Sequence, residues 1–275
     1  MAWPTSSKGG TARGGGRPAR LLALRHEPDV LASGTRHIHG SVLRRSRHVR
    51  DGNFKALGLD DLQLLFGLYD ATFFNDLLTA MLREDGADLT FRLSSRMTRV
   101  GGTTTMRRPR GLKAGGPAGR VGFEITVSTA LLFESFRDAG RSVAVSGLTC
   151  NDRLEALQRV FEHELLHLAE FLAWGRSSCS EATFLELSRN IFGHAGVKHE
   201  LVTPRETAAS MHGIRIGDRV VFEHLGVLRN GLVNRVTKRA TVLVEDPAGR
   251  PFSDGRKYAT FYVPVAMLRK DLAPG

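Results

Sequence analysis

The stretch Phe161-Glu-His-Glu-Leu-Leu-His167 organises this sequence, because it places two histidines four residues apart with a glutamate after the first. The stretch lies in a segment of helical character, and residues i and i+4 of an α-helix are neighbours on one face. His163 and His167 can therefore offer two imidazole nitrogens to one cation. Glu164 lies beside the pair, where a carboxylate can act as a general base toward water.

The residues around this motif predict one long amphipathic helix. Asp152 is a suitable N-cap, and Glu155 three residues later fits a capping box. The two histidines lie off the apolar face, so the helix has one side for a core and another for a site. The alternative is a structural helix whose histidines bind nothing. The apolar residues that recur at helical spacing are Leu154, Leu157, Phe161, Leu165, Leu168 and Leu172.

The composition limits the class of protein. A chain of 275 residues with 41% hydrophobic content can bury a core in one large or two small domains. It has no apolar run near the roughly 20 residues that span a bilayer, so we expect no membrane partner. The two cysteines, Cys150 and Cys179, predict no disulfide framework and favour a reducing, cytoplasmic location.

Positive charge is concentrated near the N-terminus. The net charge of the chain is +11, and residues 1–50 contain ten Lys and Arg but only Glu27 and Asp29 as acidic residues. This segment is rich in Gly, Ser and Arg and lacks sustained periodicity, so residues 1–55 are predicted to be a disordered basic arm. The arm could bind nucleic acid, act as a transit peptide, or have no function.

Between the arm and the motif, the sequence predicts a helix followed by a small antiparallel sheet. Apolar residues from Leu59 to Leu77 indicate an amphipathic helix of about twenty residues. The basic, Gly-rich residues 107–120 are typical of a loop between strands. This order of elements indicates an α+β fold. The predicted strands and the short helix after them are Leu89–Ser94, Thr103–Met106, Val121–Ser128 and Leu131–Phe136.

After the motif helix, Gly175 predicts a turn, and Ser180 is the expected N-cap of a further helix that ends at Gly193. Residues 197–211 are polar and irregular and are predicted to be a linker. Short, evenly spaced strands then predict a small β-barrel over residues 212–272. The barrel is rich in Lys and Arg, so it could contact the phosphates of nucleic acid, bind a partner protein, or pack on the first domain.

Several of these segments, spanning about Leu59 to Phe192, resemble the SprT-like family of zinc metallopeptidases, which includes Spartan-type enzymes of DNA–protein crosslink repair. The C-terminal segment is similar to KOW- and SH3-type barrels. The resemblance implies a zincin-like metallopeptidase domain over residues 56–196. It also implies Zn²⁺ as cofactor and a protein substrate, with DNA-associated proteins as candidates. The stretches that carry it are Leu68-Tyr-Asp-Ala-Thr-Phe-Phe74, Leu93-Ser-Ser-Arg-Met-Thr-Arg-Val-Gly-Gly102, Ile125–Ser128, Glu155–His167 and the following helix with Phe184.

The resemblance also bears on the third metal ligand. In the family a third histidine usually heads the helix after the motif helix, and its place here, counted back from Phe184, falls at Ser180. Cys179 is one residue away, and a thiolate at a helix N-terminus is a sound zinc ligand. The resemblance therefore favours Cys179 as the ligand that joins His163 and His167. The alternatives are Ser180, Glu181, Glu186 and His194.

Two other functions are compatible with the sequence. One is a non-catalytic nucleic-acid-binding protein, in which zinc only holds two helices together while the arm and the barrel bind. The other is a metal-free scaffold that binds a partner. In the enzyme interpretation, Glu164 is the catalytic residue.

Overall fold

The computed structural model of the chain describes residues 16–107, 120–136 and 141–271. The chain is of mixed α+β class, as predicted. No helix within the described ranges has the length and apolar character needed to cross a bilayer. The helices are α1 (Arg17–Leu22), α2 (Pro28–Arg45), α3 (Leu59–Tyr69), α4 (Leu77–Asp85), α5 (Thr129–Ser135), α6 (Arg153–Trp174), α7 (Ala182–Phe192) and α8 (Pro204–His212). The strands are β1 (Asp88–Ser94), β2 (Gly102–Arg107), β3 (Gly122–Ser128), β4 (Val143–Val145), β5 (Leu148–Cys150), β6 (His199–Glu200), β7 (Arg219–His224), β8 (Val227–Val236), β9 (Ala240–Pro251), β10 (Lys257–Val263) and β11 (Arg269–Lys270).

Helix α6 carries the histidine motif and lies at the centre of the larger core. The Asp152 carboxylate caps its start by accepting a hydrogen bond from the Glu155 amide at 2.8 Å. Gly175 ends it in the left-handed conformation, with φ of 69°. The six leucine and phenylalanine residues of the predicted stripe are at most 4% exposed. The helix therefore begins, ends and packs as the sequence predicted.

The sheet beside α6 is mixed. Its strand order is β1-β3-β2, in which β3 pairs parallel with β1 and antiparallel with β2. The predicted antiparallel sheet is therefore wrong for the β1–β3 pair. The physical reason is that β3 lies between β1 and β2, so these two strands, which are consecutive in the sequence, do not pair with each other. β2 consequently lies at the edge of the sheet, where it packs on α6.

The helix that was predicted to run for about twenty residues from Leu59 is interrupted. After α3 the chain makes a π-helical turn over Asp70–Phe74, and Asn75 and Asp76 then adopt left-handed conformations with φ of 53° and 60°. The Asp70 carboxylate accepts hydrogen bonds at 3.0 and 2.9 Å from two amides in the first turn of α4. This capping stabilises the break and the new helix direction.

The prediction of a disordered arm over residues 1–55 is wrong for residues 16–55, and residues 1–15 lie outside the described ranges. Helices α1 and α2 pack on the larger core, where Leu21, Ile38 and Val42 are 0% exposed. The composition of the segment favours disorder. The apolar residues of α2 nevertheless lie one helical turn apart and are covered by the core, which provides the burial that order requires.

The C-terminal strands cover a second hydrophobic core. They form one antiparallel sheet in the order β10-β9-β8-β7-β11, so the last strand returns to pair with the first. Register shifts between Val233 and Arg235 and between Lys257 and Tyr258 mark bulges, which bend a sheet. The described strands do not close this sheet by hydrogen bonds, so the predicted barrel is not confirmed.

Residues 197–211 are not the free linker that their polarity predicted. His199 lies in β6, which pairs antiparallel with β4. Leu201 and Val202 are buried in the larger core, whereas Ala208 of α8 is buried in the second. The change from one core to the other therefore falls between Val202 and Ala208. Tertiary contacts order this segment, although its local sequence does not predict an ordered structure.

We expect Ile38→Ala to lower the free energy of unfolding by about 2–5 kcal/mol, because it leaves a cavity in the core. Val30→Ala in the same helix is the matched control, since Val30 is 47% exposed, and its effect should stay within about 0.5 kcal/mol. Urea unfolding followed by circular dichroism measures both variants. Equal stability of Ile38→Ala and wild type would show that α2 does not pack on the core.

Candidate metal centre

The three predicted metal ligands lie together in one cavity. One donor atom each from His163, His167 and Cys179 forms a group whose atoms all lie within 4.8 Å of one another. The Nε2 atoms of the two histidines are 3.1 Å apart. The cavity has a volume of about 580 Å³, and Glu164 and residues of β2 and β6 also line it.

The orientation of His167 is set by a hydrogen-bond relay that the sequence analysis did not identify. The Ser177 hydroxyl lies 2.7 Å from His167 Nδ1 and 2.5 Å from Glu170 Oε2. Because the hydroxyl has one hydrogen and donates it to the carboxylate, it accepts a hydrogen bond from Nδ1–H of the imidazole. His167 Nε2 then carries the free lone pair and faces His163.

His163 is held by ring packing. Its ring centroid lies 4.9 Å from that of Phe184 and 4.8 Å from that of His167, and Phe184 also contacts His167 at 4.7 Å. Burial, with smaller contributions from neighbouring histidines, lowers the pKa of His163 to about 2, and burial lowers the pKa of His167 to about 4. Both rings are therefore neutral near pH 7, which is the form that binds metal.

Glu164 is 2% exposed and lies against β2. Burial raises the pKa of its carboxyl group to about 8, and a hydrogen bond from Thr104 acts in the opposite direction. Thr104 Oγ1 is 2.8 Å from Glu164 Oε2 and 2.9 Å from the Glu164 carbonyl oxygen. A Cβ atom at Gly102 would lie only 2.7 Å from Glu164 Cγ. The glycine therefore allows the strand to approach the carboxylate closely.

These residues fit a tetrahedral divalent cation such as zinc. Two imidazole nitrogens and a thiolate are common zinc donors, and nitrogens bound at 2.0–2.1 Å in a tetrahedron lie about 3.3 Å apart. The observed separation of 3.1 Å between the two Nε2 atoms is close to this value. His163 Nδ1 is also buried and has no hydrogen-bond partner in the described part of the chain, which is unusual for a histidine that serves only to fill a core.

The alternative third ligands lie in other environments. Ser180 bonds Ser178 at 2.9 Å, and Glu181 pairs with Arg176 at 2.7 Å. Glu186 is exposed on α7. His194 is buried against Glu162, with its Nε2 atom 2.8 Å from the carboxylate. None of these four joins the group formed by the two motif histidines and Cys179.

His199 is a further residue of the cavity that the sequence analysis missed. It lies in β6, and its ring centroid is 4.5 Å from that of His163. A lone histidine in a polar segment carries no periodic signal, and only the pairing of β6 with β4 brings it to α6. Ser177 and Thr104 also carry no signal in the sequence, because their roles follow from their contacts in the folded chain and not from their spacing along it.

A second group of possible ligands, His48, Asp60 and Asp61, has a structural explanation. The buried Asp61 carboxylate accepts hydrogen bonds from Ser46 Oγ at 2.5 Å and from the Gly58 amide at 2.7 Å. His48 Nδ1 lies 3.0 Å from the same carboxylate. The Asp61 carboxylate therefore joins the start of α3 to the preceding loop, and both of its oxygens have partners without a cation.

No protein-family model, curated protein or solved structure shows significant similarity to this chain. The function is therefore inferred from the residues and geometry of the chain itself.

Gly102→Ala should lower the free energy of unfolding by about 1–3 kcal/mol, because the added methyl group overlaps the Glu164 side chain. Gly67→Ala is the matched control. An added Cβ at Gly67 meets no atom within 4 Å, and alanine in a helix should stabilise the protein by up to about 1 kcal/mol. Thermal unfolding of the two variants tests the close approach. Equal stability of both would mean that β2 does not press on Glu164.

Cys179→Ala should reduce zinc affinity by more than the roughly 10–100-fold that the loss of an outer-shell partner causes. Ser180→Ala and Glu186→Ala should bind zinc like wild type, since neither side chain reaches the cavity. His194→Ala should destabilise the fold by about 1–3 kcal/mol, because it leaves the buried Glu162 short of a partner, while zinc affinity persists. Competition with a chromophoric chelator and metal analysis measure all four. Full zinc affinity in Cys179→Ala would exclude it as a ligand.

Proposed function

We propose that this protein is a zinc-dependent metallopeptidase of the SprT-like type, with His163, His167 and Cys179 as ligands and Glu164 as the catalytic base. The observation that carries the proposal is the location of one buried carboxylate in the same cavity as three convergent metal donors. A carboxylate beside a zinc site is the arrangement with which zinc peptidases activate water. The SprT-like assignment rests on the sequence resemblance.

The edge of the sheet favours an extended peptide as the substrate. Gly102, Thr103 and Thr104 line the cavity, and β2 is an edge strand among the strands that the structure describes. An edge strand has backbone donors and acceptors that can pair with an added strand. A peptide bound in this way would pass directly over Glu164.

The chemistry of the site follows from what its residues can hold and move. A bound divalent cation would supply Lewis acidity toward water and toward a carbonyl group. Glu164 would accept the proton of the attacking water while Thr104 orients its carboxylate. Burial raises the pKa of Glu164, and positive charge at the three donors would favour its ionised form, which is the form that accepts a proton. Phe171 and Val197 also line the cavity and would restrict the access of bulk water.

The wider arrangement supports a zincin-like domain followed by an SH3- or KOW-type module. The order of helix, sheet and motif helix agrees with the order of the segments that resemble the SprT-like family. In the C-terminal unit, the pairing of β11 with β7 brings the last strand back to the first, as a barrel-like module requires. DNA-associated proteins are the substrates that the resemblance suggests.

We expect Glu164→Gln to lower the rate of peptide hydrolysis by at least about 100-fold, because an amide cannot accept the proton of water as a carboxylate does. Zinc affinity should remain within a few-fold of wild type, because Glu164 is not one of the three donors. Hydrolysis of casein by zinc-loaded protein, with chelator-treated protein as the blank, measures the first effect. Chelator competition measures the second.

Wild-type activity in Glu164→Gln would refute the proposed role of this residue. Glu186→Gln is the matched control, because it makes the same chemical change at an exposed position on α7. It should leave hydrolysis and zinc binding unchanged. A zinc-loaded wild-type protein without any hydrolysis would favour the non-catalytic alternative.

The C-terminal sheet supports a non-catalytic nucleic-acid-binding protein as the second candidate function. Arg235, Lys238 and Arg239 are exposed around the turn from β8 to β9. Tyr262 of the neighbouring β10 is 68% exposed and pairs with Thr241 of β9. Basic residues beside an exposed aromatic ring are typical of surfaces that bind single-stranded nucleic acid. Binding that weakens steeply with salt, without proteolysis, would favour this function.

A further inference from the structure

One buried carboxylate of α6 contacts the turn that leads to the third proposed metal donor. Glu170 follows His167 by three residues on this helix and is 3% exposed. Its Oε2 atom accepts hydrogen bonds from the Ser177 hydroxyl at 2.5 Å and from the Ser178 amide at 3.2 Å. A single oxygen atom of Glu170 therefore bonds two consecutive residues, and the next residue along the chain is Cys179.

The first of these two bonds extends to His167. Ser177 Oγ lies 2.7 Å from His167 Nδ1, so the imidazole donates to the hydroxyl and the hydroxyl donates to the carboxylate. A metal-binding histidine almost always has an outer partner on its second ring nitrogen, which fixes the tautomer and the direction of the ring. Through Ser177, Glu170 thus orients the ring whose Nε2 atom faces His163.

The second bond acts on the backbone just before Cys179. The Ser178 amide donates to Glu170, and the Ser178 carbonyl oxygen accepts a hydrogen bond from the Glu181 amide at 3.1 Å. The two peptide groups on either side of the Ser178 Cα atom are therefore both held, and the second of them joins Ser178 to Cys179. A donor on a turn is placed less precisely than a donor on a helix, so a cysteine here needs such anchoring to meet two imidazoles of α6.

The charge of Glu170 also connects this residue with a cation. A buried carboxylate is costly unless it is paired or hydrogen-bonded. Arg176, the basic residue of the same turn, pairs with Glu181 at 2.7 Å. A divalent cation bound at Nε2 of His167 would be linked to the Glu170 carboxylate through the imidazole and the Ser177 hydroxyl, which is the usual way in which a carboxylate supports a metal-binding histidine.

We propose that Glu170 is a positioning residue of the metal centre and holds two of its three donors. It holds the imidazole of His167 through the Ser177 hydroxyl. It holds the thiol of Cys179 through the Ser178 amide. This proposal rests on the metal binding of the proposed function but not on peptide hydrolysis. Because the two donors come from different parts of the chain, removal of one carboxylate should loosen both.

The test uses full-length protein and Zn²⁺ alone, with affinity measured by competition with a chromophoric chelator. Glu170→Leu keeps a side chain of similar size but removes the acceptor, and we expect zinc affinity to fall by about 10–100-fold. Glu170→Gln keeps an oxygen that can accept both bonds, so its affinity should lie between those of Glu170→Leu and wild type. Glu181→Leu is the matched control in the same turn. Its carboxylate forms an exposed pair with Arg176, so zinc affinity should stay within a few-fold of wild type.

Cobalt substitution separates the two branches, because the charge-transfer band from thiolate to Co²⁺ reports on Cys179 alone. Ser177→Ala removes only the branch to His167, so it should lower metal affinity and keep the thiolate band of wild type. Glu170→Leu should lower metal affinity and also weaken the thiolate band. A Glu170 that only stabilised the fold would leave this band unchanged.

Wild-type zinc affinity in Glu170→Leu would overturn the proposal, as would an unchanged thiolate band in that variant. If Glu170→Leu does not fold, Glu170→Gln and Ser177→Ala decide, and wild-type affinity in both would overturn the proposal. A wild type that binds no zinc would overturn it together with the proposed function. A wild type that binds zinc but cleaves no peptide would refute the proposed enzyme while leaving this role of Glu170 intact.

Discussion

Helix α6 is buried on nearly every side, and the polar groups that it takes into the interior must find partners there. Glu162 shows how the fold meets this requirement. It is 0% exposed and contacts Tyr69, Arg159 and His194 at 2.8–2.9 Å. Burial would raise the pKa of Glu162, but Arg159 and His194 together bring it below its ordinary value. The helices before α6 and the turn after α7 are therefore joined to it through one buried charge.

The opposite side of the same helix carries the candidate site, and some of its buried polar atoms have no hydrogen-bond partner among the described residues. His163 Nδ1 has no partner within the described residues, and the Glu164 side chain has a single hydrogen bond, from Thr104. A ligand site requires polar groups beside a cavity that still have a free donor or acceptor, because a group whose hydrogen bonds are all made to protein cannot bind a ligand. His194 lies outside this cavity, where its Nε2 atom contacts Glu162.

The parts of this molecule that could be predicted are those whose signal is local. Three features of α6 depend on spacing within one helix, and all three are present as expected. They are the apolar stripe, the two caps and the proximity of His163 to His167. The order of residues 16–55 depends instead on contacts across the chain, such as the bond from Gln158 to the Thr35 carbonyl at 3.1 Å. His199 depends on the pairing of a two-residue strand. Composition and periodicity do not predict such long-range contacts.

In the proposed metal centre, Cys179 would take the place of a third imidazole and would change the electrostatics of the site. A thiolate would bring a negative charge that neutral histidine does not, so the charge left on a divalent cation would be smaller. Water near such a centre is acidified less, and a stronger base is needed to remove its proton. Burial of Glu164 between α6 and β2 raises the pKa of its carboxyl group, and a cation at the three donors would act in the opposite direction. Gly102 makes this burial sterically possible, because a Cβ atom at this position would overlap the Glu164 side chain.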